Sequence, residues 1–182
     1  MTASVATESS VEVLFSPEAI SARIAELCAE IAALELRNPL VVPILTGSFI
    51  FASDLLRGLY SAGLAPEVDF LTLASYRLGT RSAGSVDILR DMELDVSDRD
   101  VLLVDDILDT GRTLAYAKDL IAARGARRLK TCVLLNKRVR RAVAIEADLI
   151  AFECPPVFVV GYGMDLANRY RELPFVGRVV GS

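Results

Sequence analysis

The sequence predicts an α/β fold built on a mainly parallel sheet, and three observations carry that prediction. Short apolar runs of strand type alternate with helical periodicities along the chain. One run, Val101 to Val104, is continuously apolar, as expected in the middle of a parallel sheet. The 182 residues are 53% hydrophobic, enough for one dense core.

The elements follow in order. "VEVLF", Val11 to Phe15, reads as a short strand. Ser16-Pro17-Glu18 supplies an N-cap, a proline at the first helical position and an acid in the first turn. The helix behind it carries Ile20, Ile24, Leu27, Ile31 and Leu34 on one stripe. "LVVPIL" is a buried strand ending at Thr46-Gly47-Ser48, and Phe49 to Tyr60 is helical. "VDFLTLASY" is another strand, followed by the polar, glycine-bearing loop "RLGTRSAGS" and a returning strand "VDILR". After Val104, the residues Leu114, Ala117 and Ile121 share a helical face that ends at a Gly125 cap. "LKTCVLLN", "LIAFE" and "VFVVGY" complete the strands.

Composition narrows the chemistry. The start, "MTASVATESS", lacks a basic segment and an apolar core, so it reads as a disordered tail over residues 1–10 rather than a signal peptide. The longest uncharged run, Asn38 to Ser53, falls short of the roughly 20 residues that span a bilayer. No membrane partner is expected. A net charge of −4 gives no reason to expect general nucleic-acid binding. Three scattered cysteines suggest no disulfide framework and fit a reducing, cytoplasmic setting. Histidine is absent, which excludes Ser–His and Cys–His nucleophile pairs and histidine metal sites. A general base must then be a carboxylate, Lys, Tyr or Cys, and a metal is a hard cation held by oxygen.

The stretch "VLLVDDILDTGRTL" concentrates the chemistry. Ligands of open parallel sheets collect at the carboxyl ends of the strands, where Asp105 and Asp106 stand. Side chains alternate along a strand, so the backbone is expected to leave strand geometry there for both acids to reach one ligand. The N–H groups from Thr110 through Gly111 and Arg112 to Thr113, with a helix N-terminus behind them, form an anion site. The upstream carboxylates suit sugar hydroxyls or a metal. A ribose 5-phosphate satisfies both halves. "LDTG" also occurs in aspartic proteases, but no second D-[TS]-G exists here. "LLVDD" is like a Walker B strand, yet no G-x-x-x-x-G-K-[ST] accompanies it. The remaining alternative is a strand end with solvated acids.

The segment resembles the phosphoribosyl pyrophosphate motif of type I phosphoribosyltransferases. With "FVVGYGMD" and "RYREL", Arg169 to Leu173, it is most similar to the hypoxanthine-guanine phosphoribosyltransferases, from about Val11 to Val180. The resemblance implies one domain over residues 11–182, with helices flanking the sheet, a small hood and a flexible lid loop. It implies that Asp105 and Asp106 hold the ribose hydroxyls, directly or through Mg²⁺, and that Asp109 faces purine N7 as general acid/base. Asp109 to Thr113 would wrap the 5′-phosphate. Thr46, Gly47 and Arg171 would meet pyrophosphate, Phe158 would stack on the base beside Val159, and Asp165 would face the metal and the purine. Ser75 and Tyr76 begin the lid.

Lys137 corresponds to the lysine that donates to the purine O6. An ammonium only donates, so it would bond a 6-oxo group and reject a 6-amino group. Read alone, Lys137 belongs to a solvated basic run to Arg141. The implied reaction joins hypoxanthine or guanine to phosphoribosyl pyrophosphate, with small-molecule substrates as the partners and a homodimer or homotetramer as the assembly. Two alternatives stand beside it: preference for xanthine, and a nucleotide-sensing regulator of the same fold that binds RNA through Arg124, Arg127, Arg128, Lys130 and Lys137 to Arg141.

Overall fold

The computed structural model describes residues 10–75 and 86–180. Residues 1–9 of the tail predicted over 1–10, Tyr76 and the loop to residue 85 lie outside them, while Ser10 belongs to the first strand rather than the tail. The strands and helices are β1 (Ser10–Phe15), α1 (Pro17–Ala32), β2 (Leu40–Leu45), α2 (Phe49–Ser61), β3 (Glu67–Val68), β4 (Leu71–Ser75), β5 (Val86–Arg90), β6 (Asp100–Leu108), α3 (Arg112–Ala123), β7 (Arg128–Asn136), β8 (Leu149–Glu153), β9 (Val159–Val160) and β10 (Val176–Val180).

A seven-stranded sheet in the order β5-β4-β2-β6-β7-β8, with β3 also against β2, forms the body. Its pairs are parallel except for β4 with β5. Period-two alternation on β6 fills both sides of it. Leu102 and Val104 join the α1 and α2 core, while Val101 and Leu103 join Leu114, Ala117 and Ile121 of α3. A strand stretch buried on both faces favours apolar side chains at every position, which is why Val101 to Val104 within β6 is continuously apolar. Ser16 caps α1 through a bond from the Ala19 N–H at 3.3 Å, with Pro17 at its first position.

A second sheet, β1-β10-β9, is antiparallel and joins the two ends of the chain. It is the hood that the resemblance implies, and β10 is absent from the sequence reading. Two predicted strands are shorter than expected. "VDFLTLASY" breaks at Asp69, whose buried carboxylate accepts the N–H groups of Phe70, Glu93 and Leu94 at 2.7–2.8 Å. "VFVVGY" keeps only Val159–Val160, because Gly161 and Gly163 turn the chain at φ 92° and 98°.

Candidate functional site

The expected break at Asp105 does not occur. β6 continues to Leu108, pairing Asp105 with Val133 and Ile107 with Leu135. The two acids nonetheless interact. Asp105 is buried, and its Oδ1 accepts the Asp106 N–H at 3.0 Å. Burial, with the negative charge of Asp106 next in weight, pushes the Asp105 carboxyl well above the usual range. Burial also raises Asp106, against hydrogen bonds to its carboxylate and the positive charge of Arg171. Two raised carboxyls side by side form a site that favours positive charge.

Past Leu108 the chain turns into α3. Gly111 is its N-cap at φ 83°, and the space where a Cβ would stand is already occupied by Ile145 Cγ2 at 2.7 Å and the Val143 carbonyl at 3.0 Å. No other residue fits that turn without strain. The first turn of α3 carries no acid, so nothing there competes with an anion. Asp109 stands at the entrance, and its Oδ1 is buried without a hydrogen-bond partner. A buried acceptor left unpaired is costly, so it calls for a donor from a ligand.

The Thr46-Gly47-Ser48 loop follows β2, next to β6 in the sheet. Ser48 is buried and ties the loop down by donating from Oγ to the Ile44 carbonyl at 2.6 Å. A Cβ on Gly47 would fall 1.7 Å from Asp106 Oδ2, and one on Gly163 would fall 2.3 Å from the Gly47 carbonyl oxygen. The Gly47 backbone, the Gly163 backbone and the Asp106 carboxylate therefore meet where only glycines leave room. Arg171 completes the cluster, donating to the Gly163 carbonyl at 2.6 Å and pairing with Asp165 at 2.8 Å. Asp165 caps no helix; its other oxygen accepts the Asn168 N–H at 2.8 Å. Tyr162 clamps this segment onto α2 by donating to Asp54.

Lys137 stands at the end of β7, half-buried, with its N–H bonded to the Leu108 carbonyl at 2.9 Å. Burial raises the pKa of the nearby Cys154 thiol, which Lys137 lowers and Asp109 raises. The Lys137 backbone is thus tied to the residue that precedes Asp109. Phe158 is 45% exposed while Val159 beside it is 6% exposed, so the aromatic is free for a flat partner and the valine belongs to the core. β4 ends at Ser75, and Tyr76 lies outside the described residues. Thr46, Thr110 and Arg112 are exposed, with Thr113 half-buried.

Several of the residues that suggested an RNA surface are engaged in ion pairs or backbone hydrogen bonds. Arg124 pairs with Asp91 at 2.6 Å, Arg127 with Asp100, Lys130 with Asp148 at 2.6 Å and Arg138 with Glu153 at 2.8 Å. Arg128 donates to the Leu34 carbonyl at 2.9 Å. A cavity of about 820 Å³ lies elsewhere, between α1, α2 and residues 171–174; Arg171 lines it, but Asp105, Asp106 and Asp109 do not. Among the described residues, no helix is long and apolar enough to cross a membrane. In the sequence Arg141 passes as part of a solvated basic run, and Asn136 and Glu153 as strand ends; the fold links the three by hydrogen bonds.

A family model described as "Phosphoribosyl transferase domain" matches residues 10–166. A protein of Listeria innocua named "Bifunctional protein TilS/HprT" is 47% identical over 91% of this chain, which spans 25% of that relative's length. The "Hypoxanthine-guanine phosphoribosyltransferase" of Streptococcus agalactiae is 41% identical over 91% of each chain. The solved hypoxanthine phosphoribosyltransferase of Trypanosoma cruzi "in complex with the product IMP" superposes with a TM-score of 0.87 at 34% identity, covering 97% of each chain. The chain belongs to the phosphoribosyltransferases, in their hypoxanthine-guanine branch.

Proposed function

We propose that the chain transfers the 5-phosphoribosyl group of phosphoribosyl pyrophosphate to N9 of hypoxanthine or guanine, giving IMP or GMP and pyrophosphate. One observation carries this reading: Asp105, Asp106 and Asp109 lie on β6 and its turn, directly before a glycine-capped helix N-terminus. The amides and hydroxyls from Thr110 to Thr113 take the 5′-phosphate. Asp105 and Asp106 accept the ribose hydroxyls. Departure of pyrophosphate leaves positive charge on the anomeric carbon, and fixed negative groups nearby stabilise it.

Asp109 accepts or returns the purine N7 proton through its unpaired oxygen. Lys137 donates to the 6-oxo group, Phe158 stacks on the ring, and Val159 meets its edge with backbone groups. Gly47, Thr46 and Arg171 face pyrophosphate, where the Arg171 guanidinium suits a diphosphate. Asp165 orients Arg171 through their ion pair. Ser75 and Tyr76 would open a lid that keeps water from the reacting carbon.

Asp105 and Asp106 suit a hard, oxygen-bound cation such as Mg²⁺, since a dication offsets the cost of two adjacent buried acids, and the resemblance adds Asp165 as a further metal-facing acid. Among the described residues no group of three metal-type ligands converges, so substrate oxygens would complete its shell. When bound, the ion neutralises charge on the leaving pyrophosphate. The resemblance favours a cytoplasmic homodimer or homotetramer. The test is an assay of phosphoribosyl pyrophosphate and Mg²⁺ with hypoxanthine, guanine, xanthine, adenine and uracil in turn. Product from hypoxanthine or guanine, and little from adenine or uracil, is the expected outcome; product from uracil alone would refute the reading.

A further inference from the structure

Arg141 ends the basic run that begins at Lys137. Arg138, Val139 and Arg140 are exposed, but Arg141 is turned inward. Its Nη1 donates to two successive carbonyls, Leu108 at 2.8 Å and Asp109 at 2.7 Å. Its Nη2 donates to Asn136 Oδ1. Asn136 is fully buried, and its amide Nδ2 donates to both oxygens of Glu153 at 3.0 and 3.1 Å. This fixes which end of the amide faces Arg141. The next two residues extend the grip: the N–H groups of Ala142 and Val143 both donate to the Thr110 carbonyl, at 2.9 and 3.2 Å.

Three consecutive carbonyls, those of Leu108, Asp109 and Thr110, are thus held from one side. In a planar trans peptide the carbonyl of one residue and the N–H of the next point in opposite directions. Fixing these carbonyls therefore turns the N–H groups of Asp109, Thr110 and Gly111 the other way, toward the space before α3. We infer that Arg141 is the positioning residue of this loop: it aims the amides that bind the 5′-phosphate and sets the backbone of Asp109. The inference rests on the reading that the loop binds that phosphate.

A lysine would keep the charge but not the reach. One ammonium cannot span the two carbonyls and Asn136 with the geometry of a guanidinium fork. Charge alone predicts rescue by Arg141→Lys; geometry predicts none.

The experiment measures binding of ribose 5-phosphate and of pyrophosphate, with steady-state kinetics and thermal melting, on wild type, Arg141→Lys and Glu153→Ala. Ribose 5-phosphate affinity and the KM for phosphoribosyl pyrophosphate should worsen by about tenfold or more in Arg141→Lys. Pyrophosphate affinity and the KM for hypoxanthine should change far less. Glu153→Ala, which frees the Asn136 anchor and otherwise releases only the exposed Arg138, should shift the same quantities in the same direction by about two- to fivefold. Ribose 5-phosphate binding equal to wild type in a folded Arg141→Lys overturns the inference. So does an equal loss for both ligands. If Arg141→Lys does not fold, wild-type ribose 5-phosphate affinity in Glu153→Ala overturns it. A wild-type protein with no turnover on any purine would instead sink the functional reading itself.

Discussion

Asp106 rests against Gly47 so closely that a single methyl group at residue 47 would fall 1.7 Å from its Oδ2. The loop after β2 and the acid pair of β6 are therefore one unit. Gly47→Ala must push the Asp106 carboxylate out of place. A displacement of about 1 Å in a reacting group can cost roughly 10²-fold in rate. kcat/KM for phosphoribosyl pyrophosphate should fall by about that factor in steady-state assays. An alanine enzyme with wild-type kinetics would show that the contact has no role.

Lys137 and Asp109 both bear on the Cys154 thiol, and the Lys137 N–H bonds the Leu108 carbonyl next to Asp109. Removing the ammonium in Lys137→Ala should raise the KM for hypoxanthine by about 10-fold or more, since hydrogen bonds to charged groups contribute about 1.5–3 kcal/mol. The KM for phosphoribosyl pyrophosphate should change much less. Equal effects on both would return Lys137 to the solvated rim.

Much of this site is legible in the sequence because it is local. The acids, the glycine cap and the helix behind them fall within one short stretch from Val101 to Leu114, and local chemistry survives without knowledge of the fold. What escapes depends on partners distant in sequence. β10 holds Gly177 and Arg178 within a five-residue segment, and its pattern becomes a strand only against β1 and β9. The break at Asp69 needs the N–H groups of Glu93 and Leu94 to explain it. Arg141 looks solvated until Asn136 and the carbonyls of Leu108 and Asp109 are placed around it.

Asp148 offers a test of acid stability away from the site. Burial raises its pKa, but bonds from Lys130 at 2.6 Å and from the Thr131 N–H and hydroxyl at 2.9 Å outweigh burial, so the net shift is downward. A depressed folded pKa contributes stability above the unfolded value of about 3.9, and that stability is lost as pH falls through the folded value. Asp148→Asn should lower Tm at neutral pH by roughly 2–4 °C, as expected for about 1 kcal/mol in a chain of this size. The gap from wild type should close below about pH 4. A gap that stays constant down to low pH would contradict the assignment.

The central claim is that Asp109, with its buried unpaired oxygen, handles the purine proton beside a loop that independently holds the sugar phosphate. The most direct test is the rate of IMP formation by Asp109→Asn, with phosphoribosyl pyrophosphate binding measured on the same sample. The rate should drop by about 10²–10⁴-fold while binding stays close to wild type. A rate within a factor of about three of wild type would remove Asp109 from the chemistry, because loss of a general base costs far more than that.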